Sequence, residues 1–249
     1  MRARISSLGL LLLALAASAV PASAQSWKTV SKSRQLRSQD FLDVKIEYAV
    51  GRLEVGRGSD RLLYRVESRF DEDVFSLNST YLESGGRGNL SIELDGHDDV
   101  DLQDLKDYDY EAGNLRIDLS PATPLALSLK FGAAEARLDL GGLRMRKLVL
   151  ETGASDTEVE FNEPNPEVAE FCSFKAAAAA FKVRGLGNSR CQNVTVSGGV
   201  GDVKLDFSGE WSQDANADIN VGLGGIEIRV PPEIGVRIER STFLMSFDA

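Results

Sequence analysis

Apolar and polar residues alternate along most of this chain, and a small residue interrupts the alternation at regular intervals. Leu127-Ser-Leu-Lys-Phe-Gly-Ala-Ala-Glu-Ala-Arg-Leu138 shows the unit. It recurs from Leu148 to Val159, Cys172 to Val183, Val194 to Leu205, Ala217 to Ile228 and Val236 to Phe247, with an earlier copy from Val44 to Val55. The central small residues are Ala49, Gly132, Gly153, Ala177, Gly199, Gly222 and Ser241. Alternation with a period of two predicts strands with one buried face. The small residue predicts a sharp bend, where a Cβ is costly or φ is positive. The five C-terminal steps are 21, 24, 22, 23 and 19 residues. That is the spacing of a solenoid.

Superposing the seven copies gives four inward columns, and Thr157 is the one polar residue in them. The expected fold is therefore all-β: a β-solenoid with one strand-bend-strand per rung of ~22 residues and a core built by layering. A sandwich of regularly spaced strands is the competing architecture. The run Ala176–Ala180 has local helix propensity. Its frame matches the other copies, so it reads as another strand-bend-strand.

Regular rungs occupy 115–249, and 43–114 is a less regular β region with strand-like segments at Leu62 and Leu90. Within it, 95–113 is an acidic loop of eight carboxylates against Lys106 alone. Residues 25–42, with Lys28, Lys32, Arg34 and Arg37, read as a basic linker that could touch an anionic envelope surface. No compositional break forces two separate domains.

Residues 1–24 read as an export signal. Arg2 and Arg4 precede an apolar stretch from Leu8 to Val20, and Ala22-Ser23-Ala24 forms a small-x-small cleavage site. The stretch is too short for a membrane span, which needs ~20 apolar residues. No second such run follows, so the mature chain is expected to be exported, periplasmic or extracellular, with no transmembrane span. There Cys172 and Cys191 could form a disulfide. Alternatively, Cys172 is simply a small apolar core residue.

Composition narrows the chemistry. Lys and Arg number 28 against 38 Asp and Glu, a net charge of -10. Such a balance argues against nucleic acid, whose binding depends on neutralising phosphates. One His and two Cys make zinc catalysis unexpected. The cluster Asp95, Asp98, Asp99, Asp101, Asp104, Asp107, Asp109 and Glu111 suggests calcium, but its spacing fits no EF-hand and a solvated loop is the simpler reading. The glycines at 198–201 and 222–225 lack the helix and Lys-Ser/Thr pair of a phosphate loop, so they read as turns. His97 lacks the context of a nucleophile triad. A glycan-cleaving carboxylate pair would want aromatic platforms, and the chain has only Trp27 and Trp211 as tryptophans. Asn78, Asn89 and Asn193 open tripeptides of the glycosylation type. No catalytic residue, metal or cofactor is expected.

Two stretches carry a family resemblance. Asn114-Leu-Arg-Ile-Asp-Leu-Ser-Pro and Gly199-Val-Gly-Asp-Val-Lys-Leu-Asp-Phe-Ser-Gly209 resemble bacterial toastrack proteins. Val221-Gly-Leu-Gly-Gly-Ile-Glu-Ile-Arg-Val-Pro-Pro-Glu-Ile-Gly-Val236 is similar to the C-terminal domain of LiaF-type proteins and to the related family of putative adhesins. Val44–Glu93 resembles the N-terminal toastrack domain. The resemblance implies a β-solenoid of the bacterial envelope with a sensing, scaffolding or adhesion role, and no catalytic residues to carry over. LiaF-type proteins have membrane helices that this chain lacks.

The expected function is thus an exported, non-catalytic envelope protein with a structural, adhesion-like or stress-response scaffold role. Its partner is expected to be a protein or a second copy, pairing with an open strand edge. The last rung places that edge at Val236, Ile238, Met245 and Phe247. The alternatives are an enzyme acting on polysaccharide, and a soluble partner of an envelope-stress sensor.

Overall fold

Residues 25–97 and 113–239 are described in a computed structural model of the protein. The export signal at 1–24, the carboxylates from Asp98 to Glu111, and Met245 and Phe247 lie outside them. The chain is nearly all strand. In order it forms β1 (Trp27–Gln35), β2 (Phe41–Arg57), β3 (Leu62–Asp71), β4 (Phe75–Ser84), β5 (Arg87–Gly96), β6 (Asn114–Leu119), β7 (Leu125–Asp139), β8 (Met145–Glu160) and β9 (Phe171–Arg184). One helical turn, α1 (Leu186–Ser189), precedes β10 (Asn193–Val200), β11 (Val203–Asp206), β12 (Asn216–Leu223) and β13 (Ile226–Arg229).

The expected columns are the observed register. Val44 pairs in parallel with Leu127, Leu127 with Leu148, Leu148 with Cys172, Cys172 with Val194, and Val194 with Ala217. The second arms match equally well, from Val55 through Leu138, Val159, Val183 and Leu205 to Ile228. Each long strand therefore supplies one arm to each of two faces. Alternation changes phase at the bend, where two successive residues point outward, as at Gly132-Ala133 and Ala177-Ala178. That slip turns the apolar residues of both arms toward each other. Phe174 and Phe181, on opposite arms of β9, meet with ring centroids 5.7 Å apart.

The alanine tract Ala176–Ala180 lies inside β9 as strand. Its helix propensity loses because neighbouring rungs pair with it on both sides. In the first five copies the four column residues are all buried, including Thr157. Burying an aliphatic side chain of this size stabilises by roughly 1.5–3 kcal/mol. The Thr157 hydroxyl lies 2.9 Å from Ser155 Oγ, which also accepts from Thr152 Oγ1 at 2.5 Å. The polar residue is thus hydrogen-bonded inside the layer.

The central glycines Gly132, Gly153, Gly199 and Gly222 do not have positive φ. Their small size answers to the neighbouring rung: a Cβ on Gly132 would lie 2.6 Å from the Ala49 carbonyl oxygen. Positive φ falls two residues after the small residue instead, at Gly51, Gly201 and Gly224.

Two features differ from expectation. Trp27–Gln35, read as linker, is a strand antiparallel to β3. Its polar sequence hides it, since it is an edge strand with little to bury. The less regular N-terminal region also contains a full rung. β5 pairs in parallel with the first arm of β2, and β6 with its second arm. Leu90, Ile92, Leu115 and Ile117 occupy the four column positions and are buried. Residues 95–113 stand where β2 has only 49–51, so the acidic stretch is an insertion at the bend. β3 and β4 complete this end, antiparallel to β6 and β5.

Candidate functional site: the two ends of the solenoid

Among the described residues strand pairing runs out at both ends, and the two ends are built differently. At the N-terminal end β1 pairs only with β3, and β4 only with β5. Side chains of β1 reach across to β4. Lys32 Nζ donates to the Ser79 carbonyl at 3.1 Å, and Arg34 meets Glu83 at 3.3 Å while lying 3.9 Å over the Tyr81 ring. Gln39 and the Tyr81 hydroxyl also donate to Glu83, each at 3.0 Å. These donors, Gln39 first, hold the Glu83 carboxyl below its ordinary value. Burial, and then Glu83, pushes the Tyr81 hydroxyl up. Charged edge strands of this kind resist pairing with another chain.

Among the described residues the C-terminal end has no such cover: β12 pairs only with β10, and β13 only with β11. The column residues of this rung lose their burial: Ala217 is exposed, Ile219 and Ile226 are half-buried, and Ile228 is 46% exposed. Val194, Val196, Val203 and Leu205, one rung earlier, are buried. Leu223 at the bend is 69% exposed. Partly uncovered apolar side chains thus lie along the outermost described strands.

After β13 the chain makes a turn near Pro232 and then carries no strand through Glu239. Val236 and Ile238, placed by the repeat on a last rung, are exposed and outside the ladder. The outermost described rung is β12 with β13. What could have flagged this from sequence is Pro231-Pro232, since proline cannot donate to a ladder.

Cys172 and Cys191 form a disulfide, with Cα atoms 6.0 Å apart. Cys172 is buried in the core column as one half of this bridge. The bridge ties β9 to the loop entering β10. Beside it Asn165 is fully buried; its amide donates to the Ser189 carbonyl at 3.1 Å and the Met145 carbonyl at 3.4 Å. On the same side, Glu167 receives Arg144 Nε and Arg146, each at 2.9 Å. These guanidinium groups, Arg144 first, lower its pKa.

The other singled-out residues are scattered. Trp27 sits on β1 under the Arg69 guanidinium, 3.8 Å from its ring centroid. Trp211 stacks on Phe207 in the loop before β12. His97 follows β5, its backbone N–H donating to the Val74 carbonyl at 2.8 Å. The glycine runs at 198–201 and 222–225 are rung bends. Among the described residues, no group of three or more His, Cys, Asp or Glu side chains comes together, and no helix is long and apolar enough to cross a membrane. One hollow, about 440 Å³, lies against Gly51, Arg52, Arg69 and Gly113.

The family described as the N-terminal domain of toast_rack matches residues 22–170 and 175–229. The chain belongs to this toast-rack family. The match crosses the junction between the irregular region and the regular rungs, as does the sheet. Among solved structures, a "putative cell adhesion protein" from Clostridium sporogenes superposes with a TM-score of 0.62 at 16% identity, covering 82% of this chain and 99% of that one. A "putative adhesin" from Bacteroides fragilis is 11% identical over 81% of this chain and 97% of that one, with a TM-score of 0.35. At such identities the first likeness is one of fold, and the second carries no weight. No curated protein matches the chain.

Proposed function

We propose that this toast-rack protein is an exported, non-catalytic, adhesion-like component of a bacterial envelope, and that its C-terminal end is the binding edge. The observation that carries the reading is the asymmetry of the ends. Among the described residues, one is closed by Lys32, Arg34 and Glu83, while the other leaves Ile219, Ile226 and Ile228 partly uncovered on the outermost strands. A partner strand added there would gain main-chain hydrogen bonds and side-chain contacts together. The resemblance in fold to a protein described as acting in cell adhesion supports it. The export signal read at 1–24 and the disulfide fit an oxidising compartment.

The test immobilises the full mature chain and measures retention of bacterial or host cells. Wild type should retain cells. Ile228→Lys, a charge on a half-exposed edge strand, should lower retention several-fold. Glu151→Lys, on a lateral face away from the edge, should leave it unchanged. Equal retention by all three proteins overturns the edge, and turnover of an envelope glycan by the purified chain overturns the non-catalytic reading.

A further inference from the structure

The outermost described rung offers two edges on one continuous stretch of chain. β12 runs into β13 through Gly224 and Gly225, and apolar residues lie on either side of that bend. Ile219, Val221 and Ile226 are half-buried against the core below, and Ile228 is 46% exposed. A strand added to one arm would cover Ile219 and Val221, or else Ile226 and Ile228. A segment that turns with the rung would cover all four.

The rungs beneath fix what such a segment must contain. At the bend each carbonyl faces the next layer. The Ala49 carbonyl oxygen lies 2.6 Å from where a Cβ on Gly132 would sit, and the Gly199 carbonyl oxygen 2.7 Å from a Cβ on Gly222. By the same step the Gly222 carbonyl meets the bend of an added layer, which needs glycine or alanine there. Two residues on, Gly201 and Gly224 have φ of +133° and +132°, and a Cβ on Gly224 would strike the Gly201 carbonyl oxygen. An added layer needs glycine at that position too. On the outer faces, adjacent layers form cross-strand ion pairs: Lys175–Glu151 at 2.8 Å, Lys182–Glu158 at 3.4 Å and Lys204–Glu227 at 3.2 Å. Asp218, Glu227 and Arg229 present exposed charges on the last described layer, so opposite charges facing them would continue the ladders.

A second copy of this chain supplies no such segment among the described residues. Its rungs from β5–β6 to β10–β11 are already paired on both sides. Its β1 and β4 are not joined through a bend. Its own β12 and β13 would meet this edge antiparallel, against the parallel order of the rungs from β5 to β13.

We propose that the C-terminal edge takes a two-armed extended segment of a different protein, lying parallel to β12 and β13. Its apolar residues fall opposite Ala217, Ile219, Val221, Ile226 and Ile228. Glycine or alanine falls opposite Gly222 and glycine opposite Gly224, with cations opposite Asp218 and Glu227 and an anion opposite Arg229. This rests on that edge being the binding site, and it names the kind of partner the edge accepts.

The probe is the peptide Val-Lys-Ile-Thr-Val-Gly-Ser-Gly-Asp-Ile-Lys-Ile-Glu, written to lie opposite residues 217–229. Its binding to the full mature chain is read by fluorescence anisotropy. It should bind at least ~10-fold more tightly than either half alone, because joining the arms makes the second contact intramolecular. Valine in place of the second glycine should weaken binding at least ~10-fold, through backbone strain at positive φ. Glutamate in place of the first lysine should weaken it several-fold at low salt, and Asp218→Lys should reverse that preference. Bound peptide should slow amide exchange in both 218–223 and 226–229. No binding, a half that binds as tightly as the whole, or protection confined to one arm overturns the two-armed partner. Indifference to the second glycine or to Asp218→Lys overturns the pattern. Edge protection that rises with protein concentration in the absence of peptide overturns it in favour of a second copy. Cell retention that Ile228→Lys lowers, with no preference among the peptides, removes this inference alone. Preference for the two-armed peptide by a chain that retains no cells removes the adhesive role.

Discussion

Gly201 follows the bend of the rung formed by β10 and β11, at φ +133°. A Cβ there would strike the Ala179 carbonyl oxygen of the preceding rung. An L-residue is thus penalised twice, by its own backbone and by its neighbour. Gly201→Ala should destabilise by about 1–3 kcal/mol in urea unfolding. Gly235→Ala, where nothing lies within 4 Å and φ is not positive, should stay within about 0.5 kcal/mol. Thr157 shows the opposite case, a rule broken without penalty. A hydroxyl inside an apolar column is tolerated because Ser155 and Thr152 complete its hydrogen bonding.

Single elements gain little alone; a rung is stable through its neighbours. The disulfide is one device that reinforces this, holding β9 against the loop into β10. Its half-cystines are 19 residues apart and both buried. Replacing both by alanine should lower stability by about 2–4 kcal/mol, read as a shift of the urea midpoint with little change in slope. An unchanged midpoint would show that Asn165 and its carbonyl partners suffice. At this scale the sequence was readable wherever burial dictated it. Six of the seven described rungs are visible as alternation, and they pair in the register that alternation implies. The β5–β6 rung escaped because residues 95–113 separate Ile92 from Leu115 and break the period. β1 escaped because an edge strand is specified by partners on β3 and β4 rather than by apolar positions of its own. The loss of the ladder at Val236 and Ile238 could not be found from a pattern of side chains that continues through Phe247; it rests on where pairing among the described residues stops.

Across the whole molecule, cations lower several carboxyl groups: Lys45 acts on Glu47, Lys28 on Glu72, Lys175 on Glu151 and Arg144 on Glu167. A carboxyl with a folded pKa below its ordinary value of 4.5 binds fewer protons when folded than when unfolded. Its stabilisation is present above that value and is lost as pH falls through the folded pKa. The melting temperature should therefore be nearly flat from about pH 7 to 5 and fall below about pH 4.5, with a shallower fall in Glu167→Gln. Salt at 1 M should flatten the profile, since most of these pairs face solvent. A profile that rises on acidification would mean that relief of the net negative charge outweighs the pairs.

The β5–β6 rung has a consequence for what this scaffold can carry. Its two arms stay in register although residues 95–113 replace three at the crest. Main-chain pairing on either side is thus indifferent to the length of chain between the arms. Every other crest on the ridge is an equivalent attachment point, where extra sequence could be mounted at full stagger of the ladder while the aliphatic interior below stays unbroken.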